Sequence, residues 1–174
     1  MRCSATGFRP FFLGTGILAA LLIPWWAASF VWGVPISTGW PASLWHGHEM
    51  LYGLIAAALA GFLLTAVPSW TGARGFAGWP LAILAALWAL GRAAVATSVL
   101  WPSALVAALD LAFLPALMGF VVRSLLRARN RNTPLLAVLA ALWVTDIAFY
   151  RGVVLGDGSP GMRCWSASTS YYCS

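Results

Sequence analysis

The chain has 174 residues, 61% of them hydrophobic and 8% charged, with a mean hydropathy of +0.86. Several apolar runs of about 17 to 25 residues, the length that crosses a bilayer core, exclude an ordinary soluble globule and define a multi-span membrane protein. There is no lysine, and the ten arginines against four acidic groups give a net charge of +6. That charge reads as loop arginines that set topology, not as a nucleic-acid surface.

In chain order, hydropathy predicts an all-α bundle of five spans at 11–32, 44–67, 79–100, 102–122 and 134–155. The first run follows the basic Met1–Arg2 start but is longer than a signal-peptide core, so it reads as a retained span. Within it, Gly14-x-Gly16-x-x-Ala19 matches a dinucleotide fingerprint by letter. No strand precedes it and no acidic residue follows about 20 positions on, so it is helix-packing glycine. Pro68, Gly72, Gly78, Pro102 and Pro134 mark most of the breaks between spans. Residues 159–174 form a polar tail with no apolar face to pack, expected to be disordered outside the membrane.

Alternate numbering of the loops places Arg2, Arg9, Arg74, Arg123, Arg127, Arg129 and Arg131 on one side and Arg151 and Arg163 on the other. The positive-inside rule then puts the N-terminus in the cytoplasm. Arg123 to Arg131 could also recruit anionic lipid. Trp25, Trp26, Trp32, Trp40, Trp45, Trp70, Trp79 and Trp101 lie mostly near span ends and read as interfacial anchors. Cys3, Cys164 and Cys173 have no C-x-x-C or zinc spacing, although Cys164 and Cys173 leave a disulfide open.

The polar residues inside the spans carry the chemistry. At about 1.5 Å of rise per residue, Arg92, Asp110 and Asp146 lie roughly 12 to 14 Å from the outer side, and Glu49 roughly 8 Å. His46 and His48 are slightly shallower. A charge near the bilayer centre costs at least about 2.5 to 3.5 kcal/mol, so such residues face the bundle interior and pair. Arg92 with Asp110 is the simplest ion pair. Asp146 has no assigned basic partner, which favours a functional role, whereas charges that merely hold helices together explain Arg92 and Asp110 equally well.

The stretch "SLWHGHEMLYG", Ser43 to Gly53, opens the second span. Residues two apart on an α-helix point about 200° apart, so a regular helix cannot aim His46 and His48 at one ion. His46 shares a face with Glu49 and Met50, and His48 shares another with Tyr52. The His46 face continues through Gly53, Ala57, Ala60 and Gly61, small residues that let a neighbouring helix or the edge of a planar cofactor approach. Helix packing is the simpler reading of that strip. Neutral imidazole suits haem iron, copper and zinc, and a nearby carboxylate can ligate the metal or orient the ring. His48-Glu49-Met50-Leu51-Tyr52 lacks the second histidine of H-E-x-x-H, which excludes zinc-protease chemistry.

Together, "GFRPFFLG" (7–14), "LWHGHEMLYG" (44–53), "GFLLTAVPSWTG" (61–72), "LWALGRAA" (87–94) and "RNRNTPLLAVLAAL" (129–142) resemble the NnrS family. Its members are polytopic bacterial membrane proteins described as binding haem and copper and linked to nitric oxide metabolism and nitrosative-stress resistance. The resemblance implies that His46, His48 and Glu49 are metal ligands, with Met50 as a softer cofactor contact. Tyr52, Arg92, Asp110 and Asp146 would supply surrounding charge or a proton path. Ser69 stands where the family often has Asn before W-T-G. The motifs reach about Gly158, and since family members continue through further spans, the remaining polar segment is expected to be a truncated or frameshifted end.

The expected function is thus a haem and copper protein of the bacterial inner membrane acting on or sensing nitric oxide, with the reaction left open. Its expected partners are the lipid bilayer, nitric oxide and a second copy of the chain, and not nucleic acid. A proton- or solute-coupled transporter half is the alternative, supported by charge at one level on four helices. A third reading is an inactive assembly fragment.

Overall fold

The computed structural model describes residues 9–36, 38–73, 75–127 and 131–156, with side chains of the last helix through Val153. Among these, the secondary structure is helical throughout, and five helices are long and apolar enough to cross a membrane. The first span is α1 (Arg9–Trp32). The second is composite: α2 (Ala42–His48), a π-helical turn over Glu49–Ile55, and α3 (Ala56–Thr71). The third is α4 (Trp79–Ala96), followed by a 3₁₀ turn at Ser98–Leu100. The fourth comprises α5 (Ser103–Leu111) and α6 (Phe113–Arg127), and the fifth is α7 (Leu135–Gly156).

The boundaries differ from the sequence reading in ways that backbone chemistry explains. The second span does not stop at Pro68 but continues to Thr71, where Gly72 (φ 65°) caps it in the left-handed conformation. Proline is tolerated inside membrane helices because neighbouring groups take up the freed backbone, whereas a positive φ ends the helix outright. The fourth span runs on to Arg127 and breaks at Ala112. Pro115 lies just past that break and cannot donate to the carbonyl of Leu111. That carbonyl instead accepts a hydrogen bond from Trp143 Nε1 at 3.0 Å, tying the fourth span to the fifth.

The second span is the hub. Half of its most apolar window is buried, against 11% for the first span and 17% for the fifth. It packs on α1 and α6, α4 packs along α5, and α7 closes against α5 and α6. Close approach is set by small residues at a few positions. A Cβ at Gly14 would meet the Trp88 ring at 2.8 Å, and one at Gly61 would meet Phe12 at 3.2 Å. Gly16 has nothing within 4 Å, so only the first glycine of the fingerprint-like motif packs.

Among the described residues, two apolar clusters fill the bundle. One contains Phe11, Leu63, Leu84, Phe113, Leu117, Leu125 and Leu139. The other contains Leu22, Trp40, Trp45, Val95, Val106 and Tyr150. Along the second span, Glu49 falls between Trp45 of one cluster and Ala56 of the other; along the fourth, Asp110 falls between Val106 and Phe113. Arg92 and Asp146 have the same placement on the third and fifth spans. The bundle is therefore apolar, then charged, then apolar along its long axis. The predicted tail at 159–174, the three cysteines, and Arg2, Arg74, Arg129 and Arg163 lie outside the described residues.

Candidate metal centre

His48 ends α2, and the π turn starts at the next residue. A π turn carries i→i+5 hydrogen bonds and often marks a functional site. Here His48, Glu49, Tyr52 and Gly53 are all buried along this stretch. The Gly53 carbonyl accepts a hydrogen bond from Trp88 Nε1 at 3.0 Å, which fixes the turn against α4.

The charged side chains of four spans meet at this level, as their depths predicted. His48, Glu49, Arg92, Asp110 and Asp146 have exposures of 2%, 3%, 8%, 4% and 1%. Arg92 forks between two carboxylates: Nη1 donates to Glu49 Oε1 at 2.7 Å and Nη2 donates to Asp110 Oδ1. Glycines make room for it. A Cβ at Gly53 would lie 2.9 Å from Glu49 Oε2 and 3.1 Å from Arg92 Nη1, and one at Gly91 would lie 3.2 Å from Asp110 Cα.

His48 Nε2 stands 3.1 Å from Asp110 Oδ2 and 3.2 Å from Asp146 Oδ1. One donor atom from each of these three side chains lies within 4.8 Å of the others. Asp146 therefore has a basic partner, His48, which the sequence left unassigned because the two are 98 residues apart. Tyr150 donates to Asp110 Oδ2 at 2.7 Å. The rings of Trp40, Tyr52, Phe149 and Tyr150 surround the imidazole at centroid distances of 5.1, 4.9, 4.8 and 5.6 Å.

The His46 face is different from the one expected. Its ring stacks on Trp26 of α1 at 4.1 Å and 15°, away from the carboxylates. Glu49 does not stay with it: Glu49 bonds Arg92 and comes within 3.8 Å of His48 Nδ1. Met50 packs against the apolar cluster of Trp45 and Val95. Helical i, i+3 and i, i+4 spacing puts Glu49 and Met50 on the His46 face, but the Glu49 side chain turns to Arg92 and Met50 to the apolar cluster. The pairing of His48 with Tyr52 survives. The small-residue strip serves packing, since Gly53 abuts Arg92 and Gly61 abuts α1.

Trp40 and Tyr150 join the site although the sequence does not mark them as site residues. Trp40 fits the pattern of an interfacial anchor, yet it is only 9% exposed and lies edge-on to His48. Trp45, which has the same position near a span end, is 2% exposed, whereas Trp32 and Trp79 are exposed as anchors should be. The available signal for Tyr150 was its spacing, four residues and one helical turn after Asp146.

Five apolar helices enclosing a buried layer of one arginine, one histidine and three carboxylates define a polytopic membrane protein with an intramembrane polar site. The chain belongs to the NnrS family, described as NnrS protein, whose match covers residues 2–173 and so extends past the last of the sequence motifs. No curated protein and no solved structure matches it.

Proposed function

We propose that this protein is a haem- and copper-binding member of its family, resident in the bacterial inner membrane with its N-terminus in the cytoplasm, and that it acts in nitric oxide metabolism or nitrosative-stress resistance. The observation that carries this reading is the convergence of His48, Asp110 and Asp146 inside the apolar bundle of an NnrS-family chain. Imidazole nitrogen with carboxylate oxygen is a donor set that suits copper. Bound there, copper would supply a redox-active centre. The residues of this chain would hold it, keep water away through the surrounding aromatic rings, and fix the carboxylate of Asp110 through Arg92.

Haem does not fit at His48, because four aromatic rings already pack around that imidazole. His46 is the remaining imidazole. It is partly exposed and braced on one face by Trp26, and its Nδ1 is buried with no hydrogen-bond partner among the described residues. We assign haem contact to His46 and leave Glu49 and Met50 out of it. Nitric oxide is small, neutral and membrane-soluble, so a site within the bilayer can meet it without a polar channel.

The transporter reading is less favoured. Apolar clusters pack on both sides of the charged layer, so the described residues offer no polar route leading through it. Purified protein should contain copper and show haem absorbance that shifts when nitric oxide is added. Protein from haem- and copper-replete cells with neither cofactor would overturn the proposal.

A further inference from the structure

We infer that His48 Nε2, Asp110 Oδ2, Asp146 Oδ1 and the phenolic oxygen of Tyr150 form one four-donor site for a borderline transition-metal ion, copper(II) under the reading above, in which His46 and Glu49 take no part. The inference rests on that reading for the identity of the ion and on geometry for the ligands. Donors sharing an ion at about 2.1 Å stand about 3.0 Å apart at right angles and about 3.4 Å apart at tetrahedral angles. His48 Nε2 lies 3.1 and 3.2 Å from its two carboxylate oxygens, and the Tyr150 hydroxyl lies 2.7 Å from Asp110 Oδ2. The two His48 pairs have the spacing of ligands, the His48, Asp110 and Asp146 donors all lie within 4.8 Å of one another, and Tyr150 reaches the same Asp110 oxygen.

Charge leads to the same place. Arg92 and Glu49 form a buried ion pair and cancel. Asp110 and Asp146 add two carboxylates beside His48, and burying such charge uncompensated in hydrocarbon is costly. Protons offset it in the metal-free layer; a divalent ion would take the place of those protons and displace the Tyr150 proton to solvent, the phenolate leaving one net negative charge. Arg92 also engages Asp110 Oδ1, so the oxygen of that carboxylate facing His48 and Tyr150 is Oδ2.

The chemistry of the donors selects the ion. One nitrogen and three oxygens, with no sulfur among them, suit copper(II) or zinc and not copper(I), which prefers thiolate and thioether. Met50, the nearest thioether in sequence, packs into the apolar cluster. Tyr150 is the position that distinguishes a metal site from a simple ion-pair network, since a network needs only its hydrogen bond.

The full chain, purified in micelles and stripped of metal, would be titrated with copper(II) alone and followed by paramagnetic resonance and visible absorption. One bound ion with coupling to a single nitrogen and a phenolate-to-copper charge-transfer band is expected. His48→Gln and Asp146→Asn should each weaken binding by about tenfold or more, the scale on which even outer partners of a metal act. Tyr150→Phe should abolish the charge-transfer band while an ion still binds, and His46→Ala should change nothing at this site. Unaltered helicity and monodisperse elution would establish that each variant is folded. A structural network only would show itself as copper affinity unchanged in both His48→Gln and Asp146→Asn, and would overturn the inference. Loss of the ion in His46→Ala, or coupling to two nitrogens, would overturn the ligand set while leaving copper binding in place; wild-type protein that takes up no copper would overturn both.

Discussion

Tyr150 and His48 share one oxygen of Asp110: the phenol donates to Oδ2 at 2.7 Å and the imidazole nitrogen lies 3.1 Å from the same atom. The fifth span is thereby joined to the fourth and second through a single carboxylate. Hydrogen bonds to a charged group contribute about 1.5 to 3 kcal/mol. Tyr150→Phe, which keeps the ring, should lower stability in metal-free protein by about that amount, measured by reversible denaturation in mixed micelles. A change within error would mean that Asp110 is held by Arg92 and His48 alone.

Arg92 bridges Glu49 and Asp110 with two different guanidinium nitrogens. Removing one member of a buried ionic group leaves the other uncompensated, at a cost of about 3 to 5 kcal/mol. Arg92→Gln should therefore destabilise strongly. Arg92→Lys should recover only part of the loss, because a single ammonium lacks the fork that reaches both carboxylates. Equal stability of the lysine variant and the wild type would contradict this role for the fork.

The glycines differ sharply in what surrounds them. Gly91→Ala places a methyl 3.2 Å from the Asp110 backbone and should force α4 and α5 apart, at about 1 to 3 kcal/mol. Gly16→Ala meets nothing within 4 Å and should stabilise by about 0.5 to 1 kcal/mol through helix propensity. Thermal unfolding of the two variants side by side tests the contrast, and a loss in Gly16→Ala as large as that in Gly91→Ala would refute it.

Trp143 serves a carbonyl that Pro115 leaves without its helical donor. Trp143→Phe should cost about 1 kcal/mol, since it leaves a partly buried acceptor without its donor. Adding Pro115→Ala restores a backbone N–H at position 115 and should recover most of that cost. Strictly additive losses in the double variant would show that the two residues are not coupled.

The two histidines should also separate spectroscopically. His46→Ala is expected to lose haem absorbance and retain copper, and His48→Gln the reverse, as read by optical spectra and metal analysis of the same preparations. Loss of both cofactors in one folded variant would mean that the imidazoles share a centre.

Much of this arrangement was legible from the chain. Apolar run length located the five spans, because bilayer thickness leaves few alternatives. Counting residues from the outer ends put Glu49, Arg92, Asp110 and Asp146 at similar depths. Sequence spacing also separated His46 from His48, and they do have different surroundings. The partners of Glu49 and Met50 were not legible, since helical spacing aligns both with His46 and does not say that Arg92, 43 residues on, draws the carboxylate away. Trp40 was hidden for another reason. A tryptophan near a span end looks the same whether it faces lipid or covers a buried imidazole, and only the packing of Phe149 and Tyr150 against it decides. Pro68 misled because a proline ends a soluble helix more readily than a membrane one.

Arg92 and Asp110 lie 18 residues apart on neighbouring spans, with only Thr97, a 3₁₀ turn and a Trp-Pro pair between α4 and α5. Taken singly, each span would carry an unpaired charge into the membrane at a cost of about 2.5 to 3.5 kcal/mol. Entering together as a hairpin, they bring a pair that is already neutral. The same contact that organises the mature site therefore favours insertion of the third and fourth spans as one unit, with Glu49 recruited to the guanidinium as the second span docks. A chain in which Asp110 cannot pair would be impaired at the moment of its synthesis, before any cofactor could be bound.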